Sequence, residues 1–310
     1  MNIFSNTLLI ANPAAQSGRG QIAARRAHEL LSALFGKDEH LELFLTDCPG
    51  SAKELLRAQA GRYSCVIALG GDGVIHEVAN GLVACEGGCR TLGVIPAGSG
   101  NDFARTLGMS EHVERAVEQL RQRRLRAVDL GCVNGEYFTQ TLSFGLDAAI
   151  ALGTMERRKR TGKHGTMLYL EEGLYQLRHM RMYPYVLKLC NRQGEYEETL
   201  QGSGLLLAVQ NGPTYGGGFR ITPDAAACDG LLDLCIANGP VGALRATAVF
   251  LRAMSGRHVT SPIVEFRRAC ALSLSFPDAA PPCQIDGEAF SADRYDISVS
   301  QGALNVLFGE

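Results

Sequence analysis

Apolar residues recur in two different patterns along the chain, and the pattern changes near residue 125. Before that point, short apolar runs such as residues 7–11 and 65–69 alternate with longer segments such as residues 20–35, in which apolar residues return at helical spacing. Short runs of this kind predict buried strands, and the longer segments predict amphipathic helices. Strands that alternate with helices predict an α/β domain built on a parallel sheet.

After residue 125 the apolar runs are short, as in the predicted strands at residues 137–144, 195–200 and 205–209, and turn signals such as Asn134-Gly135 separate them. Closely spaced short strands predict antiparallel pairing in a β-sandwich. Residues 165–179 and 241–254 depart from this pattern, because they are apolar on one face at helical spacing and are predicted to be helices. The sequence therefore predicts an α/β domain over residues 1–125 and a mostly antiparallel β-sandwich over residues 126–299.

Composition limits the class of protein. The chain has 310 residues, 46% of them hydrophobic, and its formal net charge of −2 argues against a strongly basic nucleic-acid binder. No apolar stretch reaches the roughly 18 residues that cross a bilayer, and the first residues lack the basic start of a signal peptide. The ten cysteines form no C-x-x-C pair. We therefore expect a cytoplasmic protein with free thiols, no zinc and no nucleic-acid partner.

Two glycine-rich turns each follow a predicted strand and precede a helix-like segment. They are residues 70–73, Gly-Gly-Asp-Gly, and residues 96–102, Pro-Ala-Gly-Ser-Gly-Asn-Asp. Glycine has no Cβ, so backbone N–H groups can approach an anion, and the following helix directs its positive end to the same place. Both turns lie at carboxyl ends of predicted parallel strands, where ligands bind in open α/β sheets. One such turn is as often structural as functional, but the pair predicts a phosphate site.

Basic residues form clusters in this nearly neutral chain. One cluster lies at residues 121–126 and a second at residues 157–163, with Arg178 and Arg181 close behind. Such clusters are most often solvated faces. They also suit attraction to an anionic membrane surface, and the sequence leaves both interpretations open.

Further motifs follow in order along nearly the whole chain. They are Asn12-Pro13, the two glycine turns, Gly145-Leu146-Asp147, Asn211-Gly212, Tyr215-Gly216-Gly217-Gly218, Asp229-Gly230-Leu231-Leu232-Asp233 and Asp286-Gly287-Glu288. Together they resemble the diacylglycerol kinase catalytic-domain family, which includes bacterial lipid kinases and sphingosine and ceramide kinases. The resemblance implies a doubly wound nucleotide-binding domain similar to NAD kinase and phosphofructokinase, a β-sandwich that holds the lipid, and a last strand, residues 300–310, that completes the first domain.

The resemblance also implies ATP and Mg²⁺ as cofactors. Phosphoryl transfer needs positioning and charge neutralisation more than covalent chemistry, and Asp72 would hold Mg²⁺ directly or through water. Backbone amides of the turns and the hydroxyls of Thr46 and Ser99 suit phosphate oxygens and the polar edge of a nucleotide. The expected ATP contacts are Asn12, Thr46, Gly70, Gly71, Asp72, Gly73, Val74, Ile75, His76, Ser99 and Asn101.

Acidic residues of the second domain complete the implied site. Glu288 matches the proton acceptor of the bacterial members, and Asp286 could share that role or bind metal. Two carboxylates around a glycine could equally form a surface turn. Asp229 aligns with a structural Mg²⁺ site, where the carbonyls of Ala226 and Leu231 would add the oxygen ligands that hard cations prefer. A plain turn before the next strand is the alternative for Asp229.

Two departures from the bacterial pattern leave the lipid open. Val74 stands where the bacterial members usually have threonine after the first turn, and Ser99 replaces threonine in the second. Both changes are closer to sphingosine-kinase-like members, whereas residues 102–105, Asp-Phe-Ala-Arg, follow the bacterial diacylglycerol kinases. His76 could polarise a phosphate, although a histidine in the first turn of a helix more often caps or packs.

The sequence thus predicts an ATP-dependent kinase, transiently bound to the cytoplasmic membrane surface, that phosphorylates a hydroxyl of diacylglycerol or a related glycerolipid. A sphingoid base is the leading alternative substrate. An NAD kinase-like enzyme and a non-catalytic nucleotide or lipid sensor are further alternatives. The acyl chains would need an apolar slot in the second domain, for which the helix at residues 165–179 is the candidate cover. Homodimer formation is left open.

Overall fold

The computed structural model describes residues 2–162, 166–191 and 193–309. The chain divides into two compact units, here called unit 1, which comprises Met1–Val128 and Gly302–Glu310, and unit 2, which comprises Asp129–Gln301. Lys163 of the second basic cluster and Gly165, the first residue of one predicted helix, lie outside the described residues.

Unit 1 alternates strands and helices, which confirms the α/β class predicted from the apolar pattern. The strand and helix boundaries lie within a few residues of those that the apolar runs predict. The elements are β1 (Asn6–Ala11), α1 (Ala15–Leu34), β2 (His40–Leu45), α2 (Ser51–Gln59), a 3₁₀ turn (Ala60–Arg62), β3 (Cys65–Gly70), α3 (Asp72–Ala84), β4 (Thr91–Pro96), α4 (Asp102–Thr106) and α5 (Val113–Arg121).

The strands of unit 1 form a parallel sheet in the order β2-β1-β3-β4. Near the end of the chain, Asn305 and Val306 pair in parallel with β4. Helix α1 packs with α5, and α2 packs with α3. Strand β3 is buried along its whole length, as expected of a central parallel strand covered on both faces. Because β2 and β3 lie on opposite sides of β1, the direction of winding switches between β1 and β3.

Unit 2 is mostly antiparallel, as predicted, and in its described residues three helices and a 3₁₀ turn are inserted among the strands. Strand β5 begins in unit 1, and β15 ends there. The elements are β5 (Leu125–Val133), β6 (Glu136–Phe138), β7 (Thr141–Gly145), α6 (Leu146–Thr161), α7 (Thr166–Arg178), β8 (Tyr183–Cys190), β9 (Tyr196–Gln210), β10 (Leu232–Asn238), α8 (Ala243–Ala253), a 3₁₀ turn (Arg257–Thr260), β11 (Val264–Ala269), β12 (Ala271–Ser275), β13 (Cys283–Ile285), β14 (Glu288–Ala289) and β15 (Tyr295–Leu307).

Two apolar cores stabilise unit 2, and β10 contributes to both. Leu232, Leu234 and Ile236 belong to a core between the strands, whereas Cys235 and Ala237 belong to a core covered by α6, α7 and α8. This division follows from strand geometry, because successive side chains point to opposite faces. Both faces of the sheet at β10 are therefore apolar, and the helices cover one of them.

Helix α6 is a third helix in unit 2, beyond the two that the sequence predicts. Its apolar stripe is short, and small residues take the place of large ones where it packs on α7. A Cβ built on Gly153 would lie 2.3 Å from Glu172 Oε1, so any side chain at position 153 would have to displace the Glu172 carboxylate. Arg157 Nε then binds the buried Glu172 carboxylate at 2.6 Å. The helix is thus held by close approach and an ion pair, which an apolar pattern does not reveal.

Three predicted strands of unit 2 have the wrong boundaries. The predicted strand at residues 137–144 is interrupted and forms β6 and β7, and the predicted strands at residues 195–200 and 205–209 are the single strand β9. Gly202 does not turn the chain but stays extended opposite Tyr185, whose ring would contact any Cβ at that position at 2.9 Å. Glycine here makes room for an aromatic ring.

All ten cysteines are free thiols, as predicted. Burial raises the pKa of the Cys65 and Cys235 thiols, which keeps both protonated and unreactive. None of the helices in the described ranges is both long enough and apolar enough to cross a membrane.

Candidate active site

Four segments that the sequence singles out lie where parallel strands of unit 1 end. Asn12 follows β1, Thr46 follows β2, Gly71 follows β3 and Ala97 follows β4. Because the four strands are parallel and in register, these residues share the carboxyl edge of one sheet. Asn12 and Gly71 flank the point at which the winding switches, and doubly wound sheets bind ligands at that point.

The two glycine turns touch each other through their backbones. A Cβ built on Gly98 would lie 2.3 Å from Gly71 Cα, and one built on Gly71 would lie 3.1 Å from Gly98 Cα. The Ala97 amide donates a 2.8 Å hydrogen bond to the Gly70 carbonyl. A side chain does not fit at position 98, and one at position 71 would be tightly packed against the second turn. The turns therefore form one continuous backbone surface, called here the paired glycine turns.

Asn101 shapes the second of these turns. Its φ of +56° is in the left-handed region, where asparagine is tolerated better than most residues. Its Oδ1 accepts a 2.8 Å bond from the Gly98 amide, and its Nδ2 donates a 3.0 Å bond to the Gly98 carbonyl. The neighbouring Asp102 is buried and pairs with Arg105 Nη1 at 2.8 Å. Asn101, predicted as an ATP contact, thus has its side-chain amide engaged with the turn itself.

Asp72 begins α3 beside the second turn, and its Oδ1 accepts a 3.2 Å bond from the Phe103 amide. A single carboxylate next to a triphosphate is a ligand set that Mg²⁺ commonly takes, so the residue suits its predicted role. Val74 and His76, in the first turns of α3, are each only 7% exposed. His76 Nε2 lies 3.4 Å from Asn80 Nδ2, so the histidine packs within the helix.

Sequence reasoning misses the role of Glu77. Its Oε1 accepts a 2.9 Å bond from the Gly50 amide, and its Oε2 accepts a 3.3 Å bond from the Ala52 amide. Both amides belong to the start of α2, where a carboxylate satisfies unpaired donors and complements the helix dipole. Glu77 therefore fixes the loop that follows Thr46. In the sequence, Glu77 stands out only because it lies in the helix-like segment after the first glycine turn. That segment does not reveal that its partner, Gly50, is 27 residues away.

Asp286 and Glu288, the candidate proton acceptors of unit 2, lie on the hairpin formed by β13 and β14. Ile285 pairs with Glu288, and Asp286 and Gly287 form a two-residue turn with φ values of +46° and +94°, as a type I′ turn requires. Glu288 is exposed, and its carboxylate has no hydrogen-bond or ion-pair partner within the described parts of the chain.

The Asp286 carboxylate has a different environment, because it is buried and holds the turn between β6 and β7. Its Oδ2 accepts bonds from the Thr139 amide at 2.7 Å and the Thr139 hydroxyl at 3.1 Å. Its Oδ1 accepts bonds from the Gln140 amide at 3.0 Å and the Thr141 amide at 2.9 Å. Four donors therefore converge on one carboxylate, and they explain why the predicted strand is interrupted there.

Asp229, the predicted ligand of a structural metal, is paired with an arginine. Its Oδ1 accepts a 3.1 Å bond from the Leu231 amide, and its Oδ2 pairs with Arg268 Nη2. Arg268 Nε also binds Asp233 Oδ1 at 3.1 Å. The Ala226 carbonyl already accepts a backbone amide at 2.8 Å. A guanidinium thus balances both carboxylates, and within residues 2–162, 166–191 and 193–309 no group of three or more His, Cys, Asp or Glu is arranged to hold a metal ion.

A narrow apolar cavity of about 50 Å³ lies in the core beneath the helices of unit 2. Asp147 of α6 lines it and is 1% exposed. Its Oδ1 accepts a 3.2 Å bond from the Tyr169 hydroxyl, whereas its Oδ2 has no partner. Burial raises the pKa of Asp147 to about 7, although the neighbouring hydroxyls of Ser143 and Tyr169 oppose this shift. Asp147 stands in the Gly145-Leu146-Asp147 motif, but the motif alone does not indicate a role for it.

Comparison with known families defines the class of this protein. Residues 6–133 match the diacylglycerol kinase catalytic domain, and residues 140–308 match the YegS C-terminal NAD kinase beta sandwich-like domain. The chain belongs to the diacylglycerol kinase-like family of lipid kinases, which confirms the resemblance drawn from its motifs.

Individual relatives agree with this assignment. A diacylglycerol kinase of Bacillus subtilis is 30% identical over 283 residues, which cover 90% of this chain and 88% of the relative. A Shigella dysenteriae protein named "Probable lipid kinase YegS" is 36% identical over 244 residues, which cover 77% of this chain and 76% of the relative. The crystal structure of a diacylglycerol kinase from Bacillus anthracis superposes with a TM-score of 0.80 at 23% identity and covers 99% of this chain and 98% of that one. This last likeness confirms the predicted fold.

Proposed function

We propose that this protein is an ATP-dependent kinase that phosphorylates a hydroxyl of diacylglycerol or a related glycerolipid. The observation that carries the proposal is the contact between Gly71 and Gly98, which joins two glycine turns at the carboxyl edge of a doubly wound sheet. Such a surface suits a polyphosphate, because amides can approach its oxygens closely where no Cβ intervenes. Membership of a lipid kinase family favours a lipid as the acceptor.

The phosphates of ATP would lie against the start of α3. The Val74 and Ile75 amides donate to the Gly71 carbonyl at 3.1 and 3.3 Å, so the helix begins its own hydrogen bonding there. The contacts to phosphate would therefore come from the Gly73 amide and the Ser99 hydroxyl, with the positive end of the helix dipole behind them. Val74 would contribute through its backbone alone, because its side chain is buried and has no hydroxyl.

Asn12, Thr46 and Asp72 complete the proposed nucleotide site. Asn12 Oδ1 accepts a 2.8 Å bond from the Ala14 amide, an Asx turn that sets the direction of its side chain. Thr46 is held by a 2.9 Å bond from its amide to the Ala11 carbonyl. Asp72 would hold Mg²⁺, which would supply charge neutralisation for the transferring phosphoryl group.

We assign proton acceptance to Glu288 and a structural role to Asp286. As the lipid hydroxyl oxygen bonds to the γ-phosphorus and ADP leaves, the hydroxyl proton would pass to the Glu288 carboxylate, which is exposed and therefore open to a substrate. Protonation of Asp286 would instead weaken the four hydrogen bonds that it accepts from the β6–β7 turn.

The apolar cavity of unit 2 supports a lipid as substrate. Its volume of about 50 Å³ is below the roughly 300 to 1,000 Å³ typical of ligand pockets, so an acyl chain would have to widen it. Nearly all of its lining is apolar, which suits a hydrocarbon chain. The lining comes from α6, α8, β9, β10 and the segments at residues 215–221 and 258–264. Among the described residues, none of α7, which the sequence suggests as the cover, takes part in it. Leu168 and Leu177 of α7 are buried, and Met167 is exposed to solvent. We therefore assign the acyl chain to the space under α6 and α8.

A sphingoid base is the second candidate substrate, and Asp147 favours it. A buried carboxyl oxygen without a partner in the wall of an apolar cavity would gain a hydrogen bond or an ion pair from a donor group close to a hydrocarbon chain. Sphingoid bases have such a group, an amine, whereas diacylglycerol has only acceptors beside its single hydroxyl.

Transfer of labelled γ-phosphate from ATP to micellar lipids tests both candidates. The acceptors are diacylglycerol, monoacylglycerol, phosphatidylglycerol, sphingosine and ceramide, with NAD as the soluble control, and each is assayed with wild type and Asp147→Asn. Labelling of diacylglycerol by both proteins supports the first candidate. Labelling of sphingosine that Asp147→Asn abolishes supports the second. Labelling of NAD alone, or of no acceptor despite ATP binding, contradicts both.

A further inference from the structure

Helix α8 separates the apolar cavity of unit 2 from solvent, and its inner face is fully apolar. Ala246, Val249, Phe250 and Ala253 line the cavity. Their spacing of three, four and seven residues places them on one side of the helix. A helix that only covered a core would be expected to present polar residues on its opposite side.

The outer face of α8 instead exposes large aliphatic side chains. Leu244 is 91% exposed, and Leu251, seven residues or two turns later on the same side, is 44% exposed. Met254 and Val259, just beyond the helix, are 41% and 43% exposed. Single exposed apolar residues are common on soluble proteins, but a row of them marks an interaction surface.

Unpaired positive charges lie among these aliphatic residues. Arg245, Arg252 and Arg257 are exposed, and within the described residues none of the three is in an ion pair. Residues 239–264 contain no Asp or Glu. Leu244, Leu251, Met254 and Val259 together with these three arginines are called here the α8 outer face. A surface that combines aliphatic groups with uncompensated cations is complementary to an anionic bilayer, which offers hydrocarbon below a layer of phosphates.

Basic residues elsewhere are less available for this purpose. In the cluster at residues 121–126, Arg123 binds the Glu39 carboxylate at 2.6 Å, and the Arg126 guanidinium lies 4.2 Å from the centre of the Phe308 ring. In the cluster at residues 157–163, Arg157 binds the buried Glu172. These side chains stabilise the fold, so the clusters that the sequence connects with the membrane are partly engaged in internal contacts.

We propose that the α8 outer face docks on the surface of an anionic lipid bilayer, with Leu244 and Leu251 inserted at the acyl boundary and the three arginines at the lipid phosphates. The proposal rests on the proposed lipid kinase function, because a lipid with long chains resides in a bilayer. Since α8 also lines the cavity, docking brings the acyl site next to the membrane. A chain could then enter the cavity along α8 without crossing bulk water.

Vesicle sedimentation tests the docking face. Wild type, Leu244→Ser/Leu251→Ser and Arg245→Gln/Arg252→Gln/Arg257→Gln are mixed with vesicles of phosphatidylglycerol and phosphatidylcholine, or of phosphatidylcholine alone. Each arginine near an anionic surface contributes roughly a fivefold increase in binding, so the triple variant is expected to lose about 10²-fold in affinity for the anionic vesicles. Ile22→Ser, which removes a 72% exposed isoleucine from α1 in unit 1, is the matched control and should bind as wild type does.

A second assay separates docking from catalysis. All variants are expected to phosphorylate a short-chain, water-soluble diacylglycerol at the wild-type rate without vesicles, because the changed residues do not line the cavity. Equal binding of wild type and both α8 variants to anionic vesicles would overturn the docking proposal, even if lipid is phosphorylated. Loss of vesicle binding by the variants, with no lipid phosphorylated by any protein, would overturn the proposed function and support the docking face. Unchanged thermal unfolding shows that each variant is folded.

Discussion

Gly71 and Gly98 come so close that a Cβ built on Gly98 would lie 2.3 Å from Gly71 Cα. The two residues belong to different strand-to-helix turns, 27 positions apart in the sequence, and the contact joins these turns into one backbone surface. Real Cβ atoms essentially never approach another heavy atom within 3.0 Å, so any side chain at position 98 must push the first turn aside. The close contact with the first turn is therefore sufficient by itself to require glycine at position 98.

Gly98→Ala is expected to lower kcat/KM for ATP by about 10²-fold, because the added methyl group displaces the first turn, and misplacement by roughly 1 Å has a cost of this size. Gly36→Ala is the matched control, since a Cβ there has no atom within 4 Å and the φ is not in the left-handed region. Steady-state kinetics with ATP as the varied substrate measures both variants. Equal kinetic constants for Gly98→Ala and wild type would contradict this role for the contact.

The sequence predicts these turns but not their contact. Apolar runs and glycine patterns predict the succession of strands and turns along unit 1. Each parallel strand is a continuous buried run, and each turn follows directly after it. Contacts between distant segments are not encoded in any local pattern. For that reason the cap of α2 by Glu77 and the close packing of Gly153 on Glu172, which accounts for α6, emerge only from the folded chain.

Glu288→Gln is expected to reduce lipid phosphorylation by roughly 10² to 10⁴-fold, the usual contribution of a positioned general base. Affinity for ATP and the temperature of unfolding should remain close to wild type, since the Glu288 side chain is exposed and has no partner in the part of the chain that the structure describes. Turnover measured with saturating lipid, together with ATP titration and thermal unfolding, checks each point. Wild-type turnover in Glu288→Gln would rule out this residue as the base.

Asp286→Asn should mainly destabilise the protein. The carboxylate accepts four hydrogen bonds, three of them from backbone amides, and asparagine has one acceptor oxygen in place of two. At least one buried amide would lose its partner and face an amino group, which costs about 1 to 3 kcal/mol. Chemical unfolding measures this loss in the free energy of unfolding. Thr139→Val, which removes only the hydroxyl, should lower the free energy of unfolding by less. Unchanged stability with a large loss of turnover would instead favour Asp286 as a catalytic residue.

Magnesium binding at Asp229 separates two interpretations of that residue. The sequence predicts a metal ligand there, whereas in the structure Arg268 pairs with both Asp229 and Asp233. Burial raises the pKa of Asp233 to about 6, with Arg268 opposing the shift and the Asp229 and Asp224 carboxylates adding to it. If Arg268 is the counter-charge, Mg²⁺ without nucleotide should stabilise Arg268→Gln against thermal unfolding and leave wild type almost unchanged. Stronger stabilisation of wild type would support the metal site.

The sequence predicts the residues of the candidate site, but it does not show which of their side chains are available to a ligand. Glu288 and Asp72 are carboxylates in recognisable motifs. In the structure Glu288 is exposed, and Asp72 is the first residue of α3. Asn101 and Asp286 stand in equally recognisable motifs, yet their side chains are engaged by neighbouring backbone. A motif shows that a residue type is required and not whether a ligand or the fold requires it. Asp147 illustrates the reverse, because only its burial beside a cavity distinguishes it.

Asp147 should make the stability of unit 2 depend on pH. Its pKa is about 7 in the folded protein, against 3.8 as the ordinary value, so between these values the folded state retains a proton that the unfolded state has lost. The free energy of unfolding therefore contains a contribution that is complete below about pH 4 and is lost as pH rises through about 7, amounting to roughly 4 kcal/mol. In Asp147→Asn the side chain does not titrate, so this contribution to the free energy of unfolding does not change with pH. Chemical unfolding from pH 4 to pH 8, followed by circular dichroism, should show wild type losing about that much stability relative to the variant, and a difference that stays constant across the range would show that Asp147 titrates normally.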